Sequence, residues 1–155
     1  MSNKQAEVLS VSEQSTISEA LLRLIASYDA FPSTVTAKKI YWQYMDNTEC
    51  IGAYTMAGAV YLKKYITGSF LAQFPFCIQY KCKPSSNDAR IKKQSVLDSL
   101  GSWLETTELP ALTDNRTIES IGRTGTTFLA GNDTSGNEIY QCNFNLKYAK
   151  TESEE

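Results

Sequence analysis

The sequence predicts an α+β domain: a mostly antiparallel mixed sheet of about five strands with two helices packed on one face. Three observations predict it. From Phe70 to Cys82 every second residue is apolar or aromatic, and Tyr140, Cys142, Phe144, Leu146 and Tyr148 repeat that period, which marks half-buried strands. Two other stretches, near residues 16–28 and 87–105, place apolar residues at helical spacing instead. Clusters of Gly, Pro, Ser, Asn and Asp separate the runs and let consecutive strands pair as hairpins.

Residues 1–14 are polar and read as a flexible arm ahead of a single domain over 15–150. Thr16 and Glu19 have the spacing of a capping box, and Ile17, Leu21, Leu24, Ile25 and Tyr28 then share one helical face. Phe31-Pro32 ends that helix, because a residue before proline is pushed out of helical geometry. Ile40–Met45 is aromatic-rich without a clean period, so a short strand is expected there or around Thr48–Tyr54. Gly52 and Gly58 are expected to bracket a loop.

Val60 to Ile66 reads as a strand with Tyr61, Lys63 and Tyr65 on one side. Thr67-Gly68 reads as a two-residue turn, where glycine supplies positive φ. Ser69 to Lys83 returns as a long strand, and Pro75 within it must face an edge or a bulge because it has no N–H. That strand is long for a small domain, since strands commonly have about 5–6 residues. The excess suggests sheet extension onto a neighbouring molecule.

Ser85-Ser86-Asn87-Asp88 opens the second helix, which runs to about Glu105. Ile91, Val96, Leu97, Leu100, Trp103 and Leu104 form its expected buried stripe, with Arg90, Lys92 and Lys93 outside. After Leu109-Pro110, Thr117 to about Gly131 reads as a strand bulged at Gly122 or Gly125. Residues 132–137 form a turn, and Glu138 to Tyr148 is the last strand. Residues 151–155 read as an acidic, disordered tail.

The chain has 155 residues, 42% hydrophobic and 21% charged, enough to bury a core without staples. Its net charge of −2 lacks the basic excess of a general nucleic-acid binder. No apolar run reaches the roughly 18 residues of a membrane span, and MSNKQAEVLSVSEQS has no apolar signal core, so the cytosol is the default location. The absence of histidine excludes Ser-His-Asp and Cys-His nucleophiles and most catalytic zinc sites. Cys50, Cys77, Cys82 and Cys142 form no C-x-x-C pair and read as reduced, semi-buried small hydrophobes.

Candidate chemistry is sparse, and no catalytic, cofactor or metal residue is assigned. Gly122-Arg123-Thr124-Gly125-Thr126-Thr127 lacks phosphate-loop spacing and opens no helix. Asp114, Glu119, Asp133 and Glu138 fall in polar turns or on exposed strand positions. The doublets Lys38-Lys39, Lys63-Lys64 and Lys92-Lys93 read as solvated surface, or as contacts to DNA phosphates or an acidic partner. Tyr41, Trp42, Tyr44, Tyr54, Tyr61 and Tyr65 exceed what two helices can cover, which favours an assembling subunit. Tyr61, Lys63, Lys64, Tyr65, Thr67, Gly68 and Phe70 are the expected interface.

Several strings carry a family resemblance. They are Lys64-Tyr65-Ile66-Thr67-Gly68-Ser69-Phe70, Gln73-Phe74-Pro75-Phe76, Leu100-Gly101-Ser102-Trp103-Leu104, Leu109-Pro110, Arg116-Thr117-Ile118-Glu119-Ser120, Leu129-Ala130-Gly131 and Tyr140 to Tyr148. In this order, over roughly residues 50–150, the chain resembles siphophage and prophage tail terminator proteins, often labelled minor capsid proteins. The first 45 residues match less well.

The resemblance implies a tail-terminator-like fold and a non-enzymatic subunit without cofactor or membrane. It implies a hexameric ring on the head-proximal end of the tail tube, made in the host cytoplasm and retained in the virion. The ring would stop tube polymerisation, meet the tube protein and the head-completion connector, and let DNA pass without specific binding. Two other readings stay open: another head–tail connector or stopper subunit, and a small-ligand-binding domain.

Overall fold

The computed structural model describes residues 7–35, 39–84 and 86–152. The first six residues of the expected arm, Lys38, Ser85 and residues 153–155 of the expected tail lie outside them. Two helices and a seven-stranded mixed sheet give the α+β class. The elements are α1 (Val11–Ala26), β1 (Ile40–Trp42), β2 (Cys50–Thr55), β3 (Val60–Lys64), β4 (Phe70–Cys82), α2 (Asn87–Thr106), β5 (Arg116–Arg123), β6 (Phe128–Asn132) and β7 (Glu138–Lys150).

β4 and β7 form the centre of the sheet. All 13 residues of β4 pair with β7, from Phe70 opposite Lys150 to Cys82 opposite Glu138. The far side of β4 is shared by β3, on Phe70 to Gln73, and β2, on Phe76 to Lys81. The far side of β7 is likewise shared by β5 and β6. The length of β4 is therefore used inside the protomer, and the expected extension onto a neighbour is corrected. The period of a strand shows which face is buried, not which strand lies alongside.

One break and one added strand explain seven strands rather than about five. The 117–131 run is two collinear strands, β5 and β6, interrupted at Thr124–Thr127. The partner of β4 is interrupted at residues 56–59, opposite Pro75. The Pro75 carbonyl accepts the Met56 N–H at 3.1 Å, so its missing donor faces this break between β2 and β3. β1 runs parallel to β2, which makes the sheet mixed.

One face of the sheet holds the core. Phe74, Phe76, Ile78, Phe144, Leu146 and Tyr148 are fully buried there, beneath Ile17, Leu21 and Ile25 of α1 and Leu97, Leu100 and Leu104 of α2. α1 starts at Val11, five residues before the expected start, because Ser10 is the N-cap and accepts the Glu13 N–H. Thr16 instead donates to the Ser12 carbonyl, so the Thr16–Glu19 capping box is absent. The described part of the expected arm is held in place: Val8 bridges Val60, and the Leu9 N–H reaches the Ala59 carbonyl at 3.1 Å.

α2 begins at its N-cap Ser86 and buries Leu97, Leu100, Gly101 and Leu104. Ile91 is 67% exposed, against expectation, because it lies about a third of a turn round the helix from that stripe. At the chain's other end, the Thr151 N–H reaches the Asn115 carbonyl and the Glu152 N–H reaches Ser69 Oγ, so the first two tail residues are tied down.

The opposite face has no helix on it. Gln73, Gln79, Gln141, Asn143 and Asn145 stand half-buried there. Gln79 Nε2 donates to Gln141 Oε1 at 2.8 Å, Gln141 Nε2 to Asn143 Oδ1 at 2.7 Å, and Asn145 Nδ2 to Gln73 Oε1 at 3.4 Å. Lys81 marks one end of this face. It is 6% exposed because its ammonium reaches the Asp46 carbonyl at 2.9 Å and Asp133 at 3.3 Å.

Gly52 lies inside β2 and does not flank a loop as expected. A Cβ there would meet Met45 Cγ at 2.6 Å and the Tyr44 carbonyl oxygen at 2.7 Å, because the segment after β1 crosses β2 at this point. The carbonyl cannot swing away as a side chain could. Gly52→Ala is expected to cost about 1–3 kcal/mol, read as a lower urea midpoint with unchanged slope. An unchanged midpoint would show that the crossing segment yields freely.

Candidate functional site

The expected interface residues lie at the β3–β4 hairpin, and the structure divides them. Phe70 is in the core, 8% exposed, with its ring edge-on to Tyr61 at 4.8 Å and to Tyr148 at 6.0 Å. Tyr61 is half-buried. A bulge between Tyr61 and Lys63 puts Tyr61 opposite Ala72 on the core face and Lys63 opposite Leu71 on the other. The expected shared side for Tyr61, Lys63 and Tyr65 is thus corrected: the extra residue, Leu62, reverses the alternation.

Lys64 spans the base of the hairpin. Its ammonium pairs with Glu7 and sits 4.4 Å from the Tyr61 ring centroid. The Glu7 hydrogen bond raises the Lys64 pKa above its usual value. Lys63, Lys64, Tyr65, Thr67 and Gly68 are exposed, and Lys63 Nζ is 6.0 Å from the Tyr65 ring.

The turn is longer than two residues. The Gly68 N–H donates to the Tyr65 carbonyl at 3.0 Å, and the Tyr65 N–H donates to the Ser69 carbonyl at 2.9 Å. This four-residue turn needs Gly68 at φ 93°, which an L side chain rarely adopts. It presents Ile66 at its tip, 107% exposed. Sequence reasoning passed over Ile66. The available signal was an aliphatic, β-branched residue beside the Thr-Gly turn, where Gly, Asn, Asp and Ser are the usual choices.

The aromatic surplus is smaller than the sequence suggests. Tyr41 is half-buried with its hydroxyl on Asp46 at 2.8 Å, and Trp42, Tyr54 and Tyr61 are half-buried too. Tyr44 and Tyr65 are 56% and 51% exposed.

Apart from Glu119, the remaining candidates are engaged structurally. In the 122–127 segment, the Arg123 guanidinium is held by Glu105 at 2.7 Å and Thr127 Oγ1 donates to Asp98 at 2.6 Å. Asp98 and Glu105 line the open cleft beside this loop, so a phosphate there would meet carboxylates. Asp114 is exposed and 3.3 Å from Arg116, and Glu119 is exposed beside a bulge in β5. Asp133 is held down to about 2, foremost by the Asn137 side chain. Glu138 is 2% exposed, not surface as expected, because it faces α2 and takes a hydrogen bond from Arg90 at 2.8 Å.

All four cysteines are free and buried, and burial pushes Cys50, Cys77 and Cys82 up to about 11 and Cys142 upward as well. Thiols so far above neutral pH are poor nucleophiles. Among the described residues no helix is long and apolar enough to cross a membrane. No protein-family model matches the chain, and no curated protein matches it.

Proposed function

We propose that the chain is a ring-forming tail terminator of a siphophage or prophage. Copies encircle the head-proximal end of the tail tube, stop its growth and present a surface to the head connector. The reading takes its family from the strings between Lys64 and Tyr148, and the α+β class is in keeping with it.

The observation that carries it is the helix-free sheet face. Gln73, Pro75, Cys77 and Gln79 on β4 and Gln141, Asn143 and Asn145 on β7 form an uncharged surface, with amides bonded to one another. DNA affinity comes largely from cations that neutralise phosphates. The charges on this face, Lys81 at one end and Lys147 and Lys63 toward the other, flank that strip, and its uncharged middle is suited to line a passage through which DNA slides without sticking.

The test is deletion of the gene in the producing phage, followed by electron microscopy of the particles. Overlong tails, or tails that do not join heads, are expected. Tails of normal length on joined heads would overturn the reading. Co-purification with empty heads and never with tails would move the protein to the connector.

A further inference from the structure

We propose that Ile66 is a knob that seats in the groove between α1 and residues 108–111 of a second copy of this chain. Copies are thereby joined side to side in one direction. The proposal rests on the ring reading above and names its lateral contact.

The knob is presented rigidly. Its turn is closed at Gly68 and Tyr65, and the strand after it is tied through Ser69 Oγ to the Glu152 N–H at 2.9 Å. Leu62, 44% exposed, and Tyr65, 51% exposed, add apolar surface to the same hairpin. Holding an aliphatic side chain fully in water gives up the favourable free energy of burying it, which a contact would recover.

The groove has the matching character. Ala20, Arg23 and Leu24 of α1, its C-cap Ser27, and Glu108, Pro110 and Ala111 line it, so apolar and polar side chains share a volume of about 270 Å³. That is below the roughly 300 Å³ at which drug-sized ligand pockets begin, so it suits a side chain better than a cofactor.

Topology keeps knob and groove apart within one protomer, so they can meet only between copies. β3 carries the knob on the β2 side of β4, whereas Ala111 bridges Thr117 of β5 on the far side of β7. Knob and groove therefore lie on opposite margins of one sheet. A contact between unlike patches repeats head to tail and closes into a ring where the rotation allows.

Charge supports the match. Lys63 adjoins the tip, Glu108 lines the groove, and neither has an ion-pair partner among the described residues. Because Arg23 lines the same groove, Lys63 must approach from the Glu108 side, which orients the incoming hairpin.

Sedimentation velocity on the full chain tests this, with thermal unfolding as the control for folding. The wild type is expected to associate as concentration rises. Ile66→Asp should remain a monomer and unfold at the wild-type temperature. Lys63→Glu and Glu108→Lys should each weaken association about tenfold, and the double variant should restore most of it. Undiminished association of Ile66→Asp, a double variant weaker than both singles, or a wild type monomeric up to about 1 mM would each overturn the contact. The tail-length phenotype tests the ring reading separately. Normal tails with an intact Ile66 effect would overturn only the tail role, and abnormal tails without an Ile66 effect only this contact.

Discussion

Phe144→Ala is expected to destabilise the fold by about 3–5 kcal/mol. Phe144 is 1% exposed, at the middle of β7, directly opposite Phe76 of β4. The two rings stack with centroids 5.1 Å apart and planes within 9°. This pair joins the two strands on which every other strand except β1 depends. Truncation removes the stacking and leaves a cavity that two paired 13-residue strands cannot collapse around. Set against the usual 5–15 kcal/mol for a whole domain, the loss is a large fraction of stability. Urea unfolding followed by far-UV circular dichroism measures it. Phe144→Leu, which keeps most of the volume, should cost about 1.5 kcal/mol or less. Equal losses for the two variants would refute the cavity argument.

Glu13→Ala is expected to cost a similar amount, about 3–5 kcal/mol, for a different reason. Glu13 is 5% exposed, and the Arg116 side chain is 9% exposed. Arg116 Nε donates to one Glu13 oxygen at 2.9 Å, Nη2 donates to the other, and the Tyr148 hydroxyl donates at 3.0 Å. The pair, 103 residues apart in the chain, fastens the first turn of α1 to β5 and β7. Removing the carboxylate leaves the buried guanidinium with only the exposed Asp114 carboxylate and the Thr113 carbonyl, both at 3.3 Å from Nη1, and strips Nε and Nη2 of their acceptor. Replacing both together, as Glu13→Leu with Arg116→Met, should recover much of the loss, because an apolar pair has no such desolvation cost. A double variant no better than Glu13→Ala would show that the cost is helix capping or packing.

The same group sets an acid limit. Burial works to raise the Glu13 pKa, but the hydrogen bonds and charge of Arg116 and the Tyr148 hydroxyl outweigh it and hold the carboxyl below 4.5. The unfolded chain therefore takes up this proton more readily than the folded one. The stabilisation is fully present above the unfolded value and is lost as pH falls through it toward the folded value. Stability measured between about pH 5 and 3 should fall less steeply in Glu13→Gln than in the wild type. Identical slopes would assign the acid sensitivity to other carboxylates.

Much of the fold is legible along the chain. The strands at 70–82 and 138–150, both helices and the core face of the sheet follow from alternation and helical spacing. The bulge expected at Gly122 or Gly125 is corrected: Gly122 pairs regularly with Asn145, the register shifts lie at Glu119 and Ala130, and Gly125 falls in the break between β5 and β6. The start of α1 was missed because Thr16–Glu19 mimics a cap that Ser10 provides. Ile91 was misplaced because a hydrophobic residue in a helix need not lie on the buried stripe. Of the candidate site, the hairpin was found, but its apolar tip was not.

Period and turn chemistry, read from the sequence alone, determined which segments are strands and helices and which side of each is apolar. Only the tertiary structure decided what lies beside each strand. It filled both sides of β4 within one protomer, set β1 parallel to β2, reversed the hairpin faces at Leu62 and joined Glu13 to Arg116. The physical reason is that alternation is local, since each residue's side follows from its neighbours in the chain. Pairing and burial depend on segments tens of residues away, whose approach no local period encodes.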